Sequence, residues 1–373
     1  MKYTNPIKFN NSIFSNPKTK RLGTKLFWSL FCPVLMIVIA SIMSNANGVG
    51  LFIIGEPFDN FKNIMIMGRT VLLTLIAALA LNTNLNSGRM DFSLGATGIL
   101  ASLLASLIVP GVDTVENIFA FLLLSIVFGM VLGFIHSLVL ITTKLPPIVI
   151  SLGMCLVYEG IAKVVANATA GAGAGVINLK MGPYTTSFFQ EPIILIPLLL
   201  IVCVVMASAL CYTRYGYNKL ALVYNQKICV DTGINEISHC IISFIIAGAL
   251  IAIYQVMSSC GTASITINVN LASSGTVFKN FLPIFIGGIL ARYSNQIVGL
   301  LLAVIGTTLL YTYGFDNALT STVSSLLNGF SVFAVLVYMV DKYRFLNWVK
   351  MRRYIWKEKR LQLIDKGEVR NEA

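Results

Sequence analysis

The 373 residues are 56% apolar and only 11% charged, whereas ordinary globular domains carry roughly 25% charged residues. With a mean hydropathy of +0.81, the chain lacks the polar surface a soluble fold of this length needs, which excludes a soluble enzyme or binding module. The net charge of +12 lies mostly at the two ends: Lys2, Lys8, Lys18, Lys20, Arg21 and Lys25 precede the first apolar run, and ten basic residues fall between Lys342 and Arg370. Basic clusters abutting apolar runs mark cytoplasmic flanks and anionic membrane lipid. No basic patch is interleaved with aromatics on a foldable polar segment, so nucleic acid is not an expected partner.

A bilayer core takes about 20 mostly apolar residues as helix. Such runs fall near 26–44, 64–82, 91–109, 118–141, 146–166, 193–212, 240–257, 276–291, 296–313 and 321–341. The expected fold is all-α, a polytopic membrane protein of about ten transmembrane helices with both termini cytoplasmic. Residues 1–25 form a basic N-terminal tail, 26–341 the transmembrane domain and 342–373 a basic C-terminal tail. The first span is near full length and follows a long basic stretch, so it is expected to stay uncleaved. This register puts Arg89, Lys144, Arg214, Lys219, Lys227 and Arg292 on the same side as the tails, against Lys62, Lys180 and Lys279 on the other. Arg69 and Lys163 stand near outer span ends, where long cationic side chains snorkel.

The interruptions between spans carry more information than the spans. At 82–95 a polar break includes Arg89 and Asp91, which are costly at membrane depth unless they pair or line a cavity. Local physics alone favours a short cytoplasmic loop, with Asp91 or Ser93 capping the next helix. Pro146-Pro147 suit the first turn of the following helix, Ser151 and Gly153 permit close helix approach, and Glu159 and Lys163 are spaced to pair on one helical face. The outer loop 167–192 opens with Ala170-Gly171-Ala172-Gly173-Ala174-Gly175, too flexible for a helix. The longest cytoplasmic connection, 213–239, holds helix-compatible sequence around Ala221 to Ile234, with Gly233 placed for a left-handed cap.

Catalytic patterns are missing. No GxSxG, HExxH, P-loop or close carboxylate pair occurs, and the seven cysteines and two histidines are scattered singly, as packing residues and loop filler are. If the chain moves solute at ATP's expense, another polypeptide hydrolyses it.

Three interruptions, in order, resemble the permease subunits of ribose-type simple-sugar ABC importers. SGRMDFSLG at 87–95 is similar to that family's SGGIDLSVG, matching at Ser87, Gly88, Asp91, Ser93, Leu94 and Gly95. Residues 146–160 resemble its PPFIxTLGxxxxxxG at Pro146, Pro147, Leu152, Gly153 and Gly160, with Ser151 for the usual Thr. The inner loop resembles AxGxNxxAAxxxGI at Ala221, Asn225, Gly233 and Ile234, and Ile286-Gly287-Gly288 resembles an IGG element. Arg89, Val223, Ile228-Cys229 and Ala291-Arg292-Tyr293 depart from the pattern, which bears on the substrate more than on the transporter class.

The resemblance implies a translocation path shared by two permease chains, identical or paralogous, in a bacterial inner membrane. It implies partner ATPase subunits holding ATP and Mg, and an extracytoplasmic sugar-binding protein that carries most of the selectivity. Ala221, Asn225, Asp231, Gly233 and Ile234 would couple to the ATPase. Ser87, Gly88, Asp91, Ser93, Gly95, Pro147, Ser151, Gly153, Gly287 and Gly288 would line the path or its gate. The resemblance implies no cofactor in this chain. Alternatives are an ABC permease for nucleosides or branched-chain amino acids, and an ion-coupled carrier using Asp91 and Glu159. Only Trp28 of the three tryptophans falls in a span, so no aromatic sugar-stacking pocket is expected. Trp348 and Trp356 suit an interfacial amphipathic segment.

Overall fold

The computed structural model describes residues 17–46, 57–85, 89–109, 111–143, 145–181, 192–224, 226–291 and 293–315, with 323, 326, 327, 329, 330 and 333. Apart from those last positions, the expected tenth span lies outside the described residues, as does the C-terminal tail. In chain order the α-helices are α1 (Pro17–Ala46), α2 (Pro57–Leu85), α3 (Leu94–Ile108), α4 (Val115–Thr143), α5 (Pro147–Ala170), α6 (Pro192–Tyr212), α7 (Arg214–Tyr224), α8 (Gln226–Asp231), α9 (Glu236–Thr262), α10 (Gly275–Leu290) and α11 (Gln296–Leu309). A wider π-type turn, Leu310–Phe315, continues α11. Beside the helices is a two-stranded antiparallel ribbon, β1 (Val176–Asn178) on β2 (Ser264–Thr266), with Ile177 opposite Ile265.

Four stretches among the described residues are long and apolar enough to cross a membrane: Ile64–Leu85, Glu116–Thr143, Pro147–Ala170 and Glu236–Thr262. A fifth arises if Ile196–Tyr212 and Arg214–Leu222, bent by 64° at Thr213, form one broken span. The chain is therefore a mostly helical, multi-pass membrane protein. α3 differs from the full span read at 91–109. Its 15 residues rise about 22 Å, less than the roughly 30 Å hydrocarbon core. Residues 89–93 form a non-helical turn instead, of which 91–93 are buried. Non-helical backbone at such depth persists where protein surrounds it.

α9 is the central helix, with α2, α3 and α4 packed on it. α3 is buried on every side from Leu94 to Leu103, as a helix apolar all round must be. Phe121 of α4 and Met257 of α9, on two of the helices packed against it, are fully buried. The opposite property marks α4, α5 and α6, which expose Leu123 and Val127, Val157 and Val164, and Val204 and Val205. Apolar side chains turned outward suit lipid, where they cost nothing.

Two ends of the bundle can be distinguished. At one, the ribbon joins the segment after α5 to the segment after α9, and Val112 N–H donates to Lys180 O at 2.8 Å. At the other, Arg89 pairs with Glu236, and Asn82, Lys219 and Gln296 share one small cavity.

Candidate functional site

The polar break folds back on itself. After α2 the backbone turns, Arg89 N–H donating to Asn84 O at 3.2 Å. The Asp91 side chain is buried and accepts from Asn84 Nδ2 (3.2 Å), Ser93 N–H (2.9 Å) and Ser93 Oγ (2.7 Å). Ser93 Oγ also lies 2.8 Å from His136 Nδ1 on α4. Because the Ser93 proton goes to Asp91, His136 donates here and carries its proton on Nδ1. Its Nε2 is buried with no partner, and its ring packs 4.8 Å from that of Phe244. Serine, histidine and aspartate are the residue types of a nucleophilic triad, yet here the serine proton rests on the carboxylate, and His136 does not take it. The arrangement satisfies a buried carboxylate and fastens the break to α4. Ser93 occupies the N-cap position of α3, but its side chain does not cap the helix, contrary to the simplest sequence expectation.

A second carboxylate organises the approach to α10. Glu159, 3% exposed, accepts from the N–H groups of Leu271 and Ser273, each at 2.8 Å, and from the Ser273 hydroxyl. The expected Glu159–Lys163 pair is corrected by this finding: Lys163 Nζ donates to Ala174 O at 2.7 Å instead. The carboxylate found better partners in backbone donors at the short 3-10 turn, Ala272–Ser274, that leads into α10. Gly95 sits against this turn, where an added Cβ would overlap the Ser273 carbonyl. Thus Gly95, two residues after Ser93, meets the serine that Glu159 holds, although the sequence separates them widely.

The remaining expected path residues are dispersed. Pro147 opens α5 after an extended Pro146. Ser151 is buried and its hydroxyl donates to Ile148 O at 3.0 Å. Gly287 faces α11, with an added Cβ 2.8 Å from Leu300 Cα. Gly153 and Gly288 are exposed and meet nothing within 4 Å. Ser87, Gly88 and Asn225 lie outside the described residues.

In the inner connection, α7 leaves α6 at the 64° bend and is pinned to α9. The Tyr215 ring stacks on His239 at 4.7 Å, His239 Nε2 lies 3.1 Å from Tyr215 O, and the Tyr215 hydroxyl lies 2.9 Å from Ser243 Oγ. Ala221 is half-buried on α7, while Asp231 and Gly233 are exposed and Ile234 is half-buried. Gly233 has φ +93° and ends α8, with Ile234 N–H donating to Cys229 O at 3.0 Å. Glu236 then pairs with Arg89, joining the end of this connection to the polar break. Arg89 stands where the resembled pattern has glycine, and as a charge near a span it needs a partner or a cavity. Its partner, 147 positions away, leaves no local signal.

One feature escaped the sequence reading. A cavity of about 130 Å³ lies among α2, α9, α10, α11 and the π-type turn, lined by Thr74, Tyr254, Asn280, Thr307, Thr308 and Tyr311 among others. Polar residues spaced along apolar spans, above all the pair Thr307-Thr308, were its available signal. Among the described residues no group of His, Cys, Asp or Glu could hold a metal ion.

Comparison with known proteins gives two matches. The chain is similar to the D-allose transport system permease protein of Escherichia coli (strain K12), with 29% identity over 177 residues, 46% of this chain and 51% of that protein. The chain thus spans about half the length of the curated relative it matches. No solved structure matches it. The family described as branched-chain amino acid transport system / permease component matches residues 63–336, most of the chain and nearly all of its described helices. On that match the protein belongs to this family of transport-system permeases.

Proposed function

We propose that the chain is the translocation-path subunit of an ATP-driven importer for a simple sugar. The observation that carries the sugar reading is the similarity to a permease whose printed substrate is D-allose, within a family match spanning residues 63–336. The chain would work with a second permease chain, with ATPase subunits that bind ATP and Mg, and with an extracytoplasmic sugar-binding protein. It would sit in a bacterial inner membrane with ten spans and both termini inside. The α7–α8 connection supports the coupling role, because it is bent away from α6 and linked through Glu236 and Arg89 to the polar break. Force applied to α8 would reach that break through an ion pair and a helix terminus. The family's printed description favours one second reading, transport of branched-chain amino acids.

The test is reconstitution of the full transporter in proteoliposomes, with uptake of labelled D-allose, D-ribose, D-xylose and L-leucine. Sugar uptake that requires ATP and survives a protonophore is the expected result. Gly233→Pro, which cannot adopt φ +93°, should lower uptake about tenfold or more at equal membrane abundance, because α8 can no longer end where it does. Leucine uptake without sugar uptake, or uptake driven by the proton gradient alone, defeats the proposal.

A further inference from the structure

We infer that the cavity among α2, α9, α10 and α11 is a binding site for a neutral polyhydroxylated ligand, held within a single permease chain. This inference rests on the sugar-permease reading and gives it a place.

The lining is unusual for the interior of a membrane bundle. Seven hydroxyl-bearing residues surround the space: Thr74, Tyr254, Thr276, Thr307, Thr308, Tyr311 and Thr312, joined by Asn280, Pro283 and Lys279. Several of these hydroxyls already have helix partners: Thr74 Oγ1 donates to Thr70 O at 2.9 Å, and Thr307 Oγ1 to Ala303 O at 2.8 Å. Two groups do not. Asn280 Oδ1 and Thr308 Oγ1 are buried without any hydrogen-bond partner, each on a residue only 5% exposed. The Asn280 amide is already oriented, since its Nδ2 donates to Thr276 O at 2.8 Å, so the free oxygen is a fixed acceptor. Pro283 has no N–H and leaves the Lys279 carbonyl without its helical donor, a further acceptor on the same wall. Orphaned polar groups of this kind are costly in a low-dielectric interior and call for a partner.

Chemistry and size indicate the partner. The volume of about 130 Å³ is well above the roughly 10–15 Å³ that a single water needs, so the space takes several waters or a small polar ligand in their place. Hydroxyls and an amide offer both donors and acceptors, which suits a ligand made of hydroxyl groups. Lys279 is the only charged residue on the described lining, and it is exposed, at the rim. An amino-acid zwitterion would bring an ammonium group with no carboxylate on the described lining to meet it.

Placement within the bundle fits a transit site. Thr74 is eight residues from Asn82 along α2, a rise of about 12 Å, and Asn82 lines the smaller cavity of about 40 Å³ with Lys219, Gln296 and Ile297. The two spaces therefore lie along one seam between α2 and α11. The smaller is lined in part by Lys219 of α7, the first helix of the connection proposed to meet the ATPase.

The experiment uses the reconstituted transporter and the same panel of labelled sugars and L-leucine. Thr308→Val and Asn280→Leu remove the two unpaired polar groups, a hydroxyl and an amide oxygen, with little change in shape. Each should raise KM about three- to tenfold for the sugar the wild type takes up, with a smaller change in maximal rate. Ser125→Ala is the control. Its hydroxyl is also buried without a partner, on α4 and away from the cavity, and its loss should leave KM unchanged. If the wild type takes up a sugar while both cavity variants keep the wild-type KM, the space is a packing defect and the site is refuted, with the sugar reading intact. If Ser125→Ala shifts KM equally, the effect is general loosening and the site is likewise refuted. Leucine uptake alone, or no sugar uptake at all, removes the sugar reading and the site together.

Discussion

Glu159 shows how much one buried charge can organise. Asn270 and Leu271 adopt φ +59° and +65° in succession, a left-handed conformation that Asn tolerates but that costs Leu271 about 1–2 kcal/mol. It persists because the Glu159 carboxylate collects the N–H groups of Leu271 and Ser273 and the Ser273 hydroxyl. Glu159→Gln puts an amide donor where those donors converge and should destabilise the fold by about 2–4 kcal/mol, read as a lower thermal unfolding temperature in detergent. Lys163→Met should change it little, because Lys163 bonds only to a loop carbonyl at Ala174. Equal losses in the two variants would restore the local ion pair that their spacing suggests. Both residues were legible in the sequence and their partners were not. An i to i+4 pair can be read from a helix, whereas a contact 112 positions away depends on how helices assemble. The same limit applies to Asp91, seen as a charge needing a reason, whose reason is His136 and Asn84.

Between elements, glycine sets the closest crossing. α4 and α9 run antiparallel with their backbones in contact, and a Cβ added at Gly248 would overlap the Gly129 carbonyl. One at Gly133 would overlap the Phe244 carbonyl. Small residues permit this approach, and dispersion between backbones then replaces the missing hydrophobic drive in lipid. Gly248→Ala must push the two helices apart and should cost about 1–3 kcal/mol, again read by thermal unfolding in detergent. Gly288→Ala, which meets nothing within 4 Å, should stay within about 0.5 kcal/mol. A neutral Gly248→Ala would show that the crossing is looser than the structure describes. The apolar runs predicted where helices lie, because hydropathy reports burial in lipid. They did not separate these glycines from Gly153 and Gly288, since packing partners leave no mark on local composition. Nor did they reveal that α3 is too short to cross alone, because a span-length window over 91–109 stays apolar on average although it opens on Asp91 and Ser93.

Across the whole molecule, sidedness links charge to architecture. The connections expected outside, after α3, α5 and α9, gather at one end through the Val112–Lys180 contact and the ribbon of Val176–Asn178 on Ser264–Thr266. Those expected inside gather at the other, through Arg89 with Glu236 and the cavity shared by Asn82, Lys219 and Gln296. Neither grouping uses the count of basic residues, yet both give the alternation that the count gives. The expected orientation rests on the basic residues, since Lys and Arg mark the loops kept on the cytoplasmic side. Alkaline phosphatase inserted at Gly175 should be active, since it folds only after export, while the same insertion at Gly233 should be inactive. A fluorescent protein fused after Ala373 should fluoresce if the number of spans is even and the basic tail stays inside. A dark C-terminal fusion with the two insertions behaving as expected would require an odd number of spans after Gly233. Phosphatase activity at Gly233 and none at Gly175 would invert the protein and move the α7–α8 connection to the face where no ATPase could reach it.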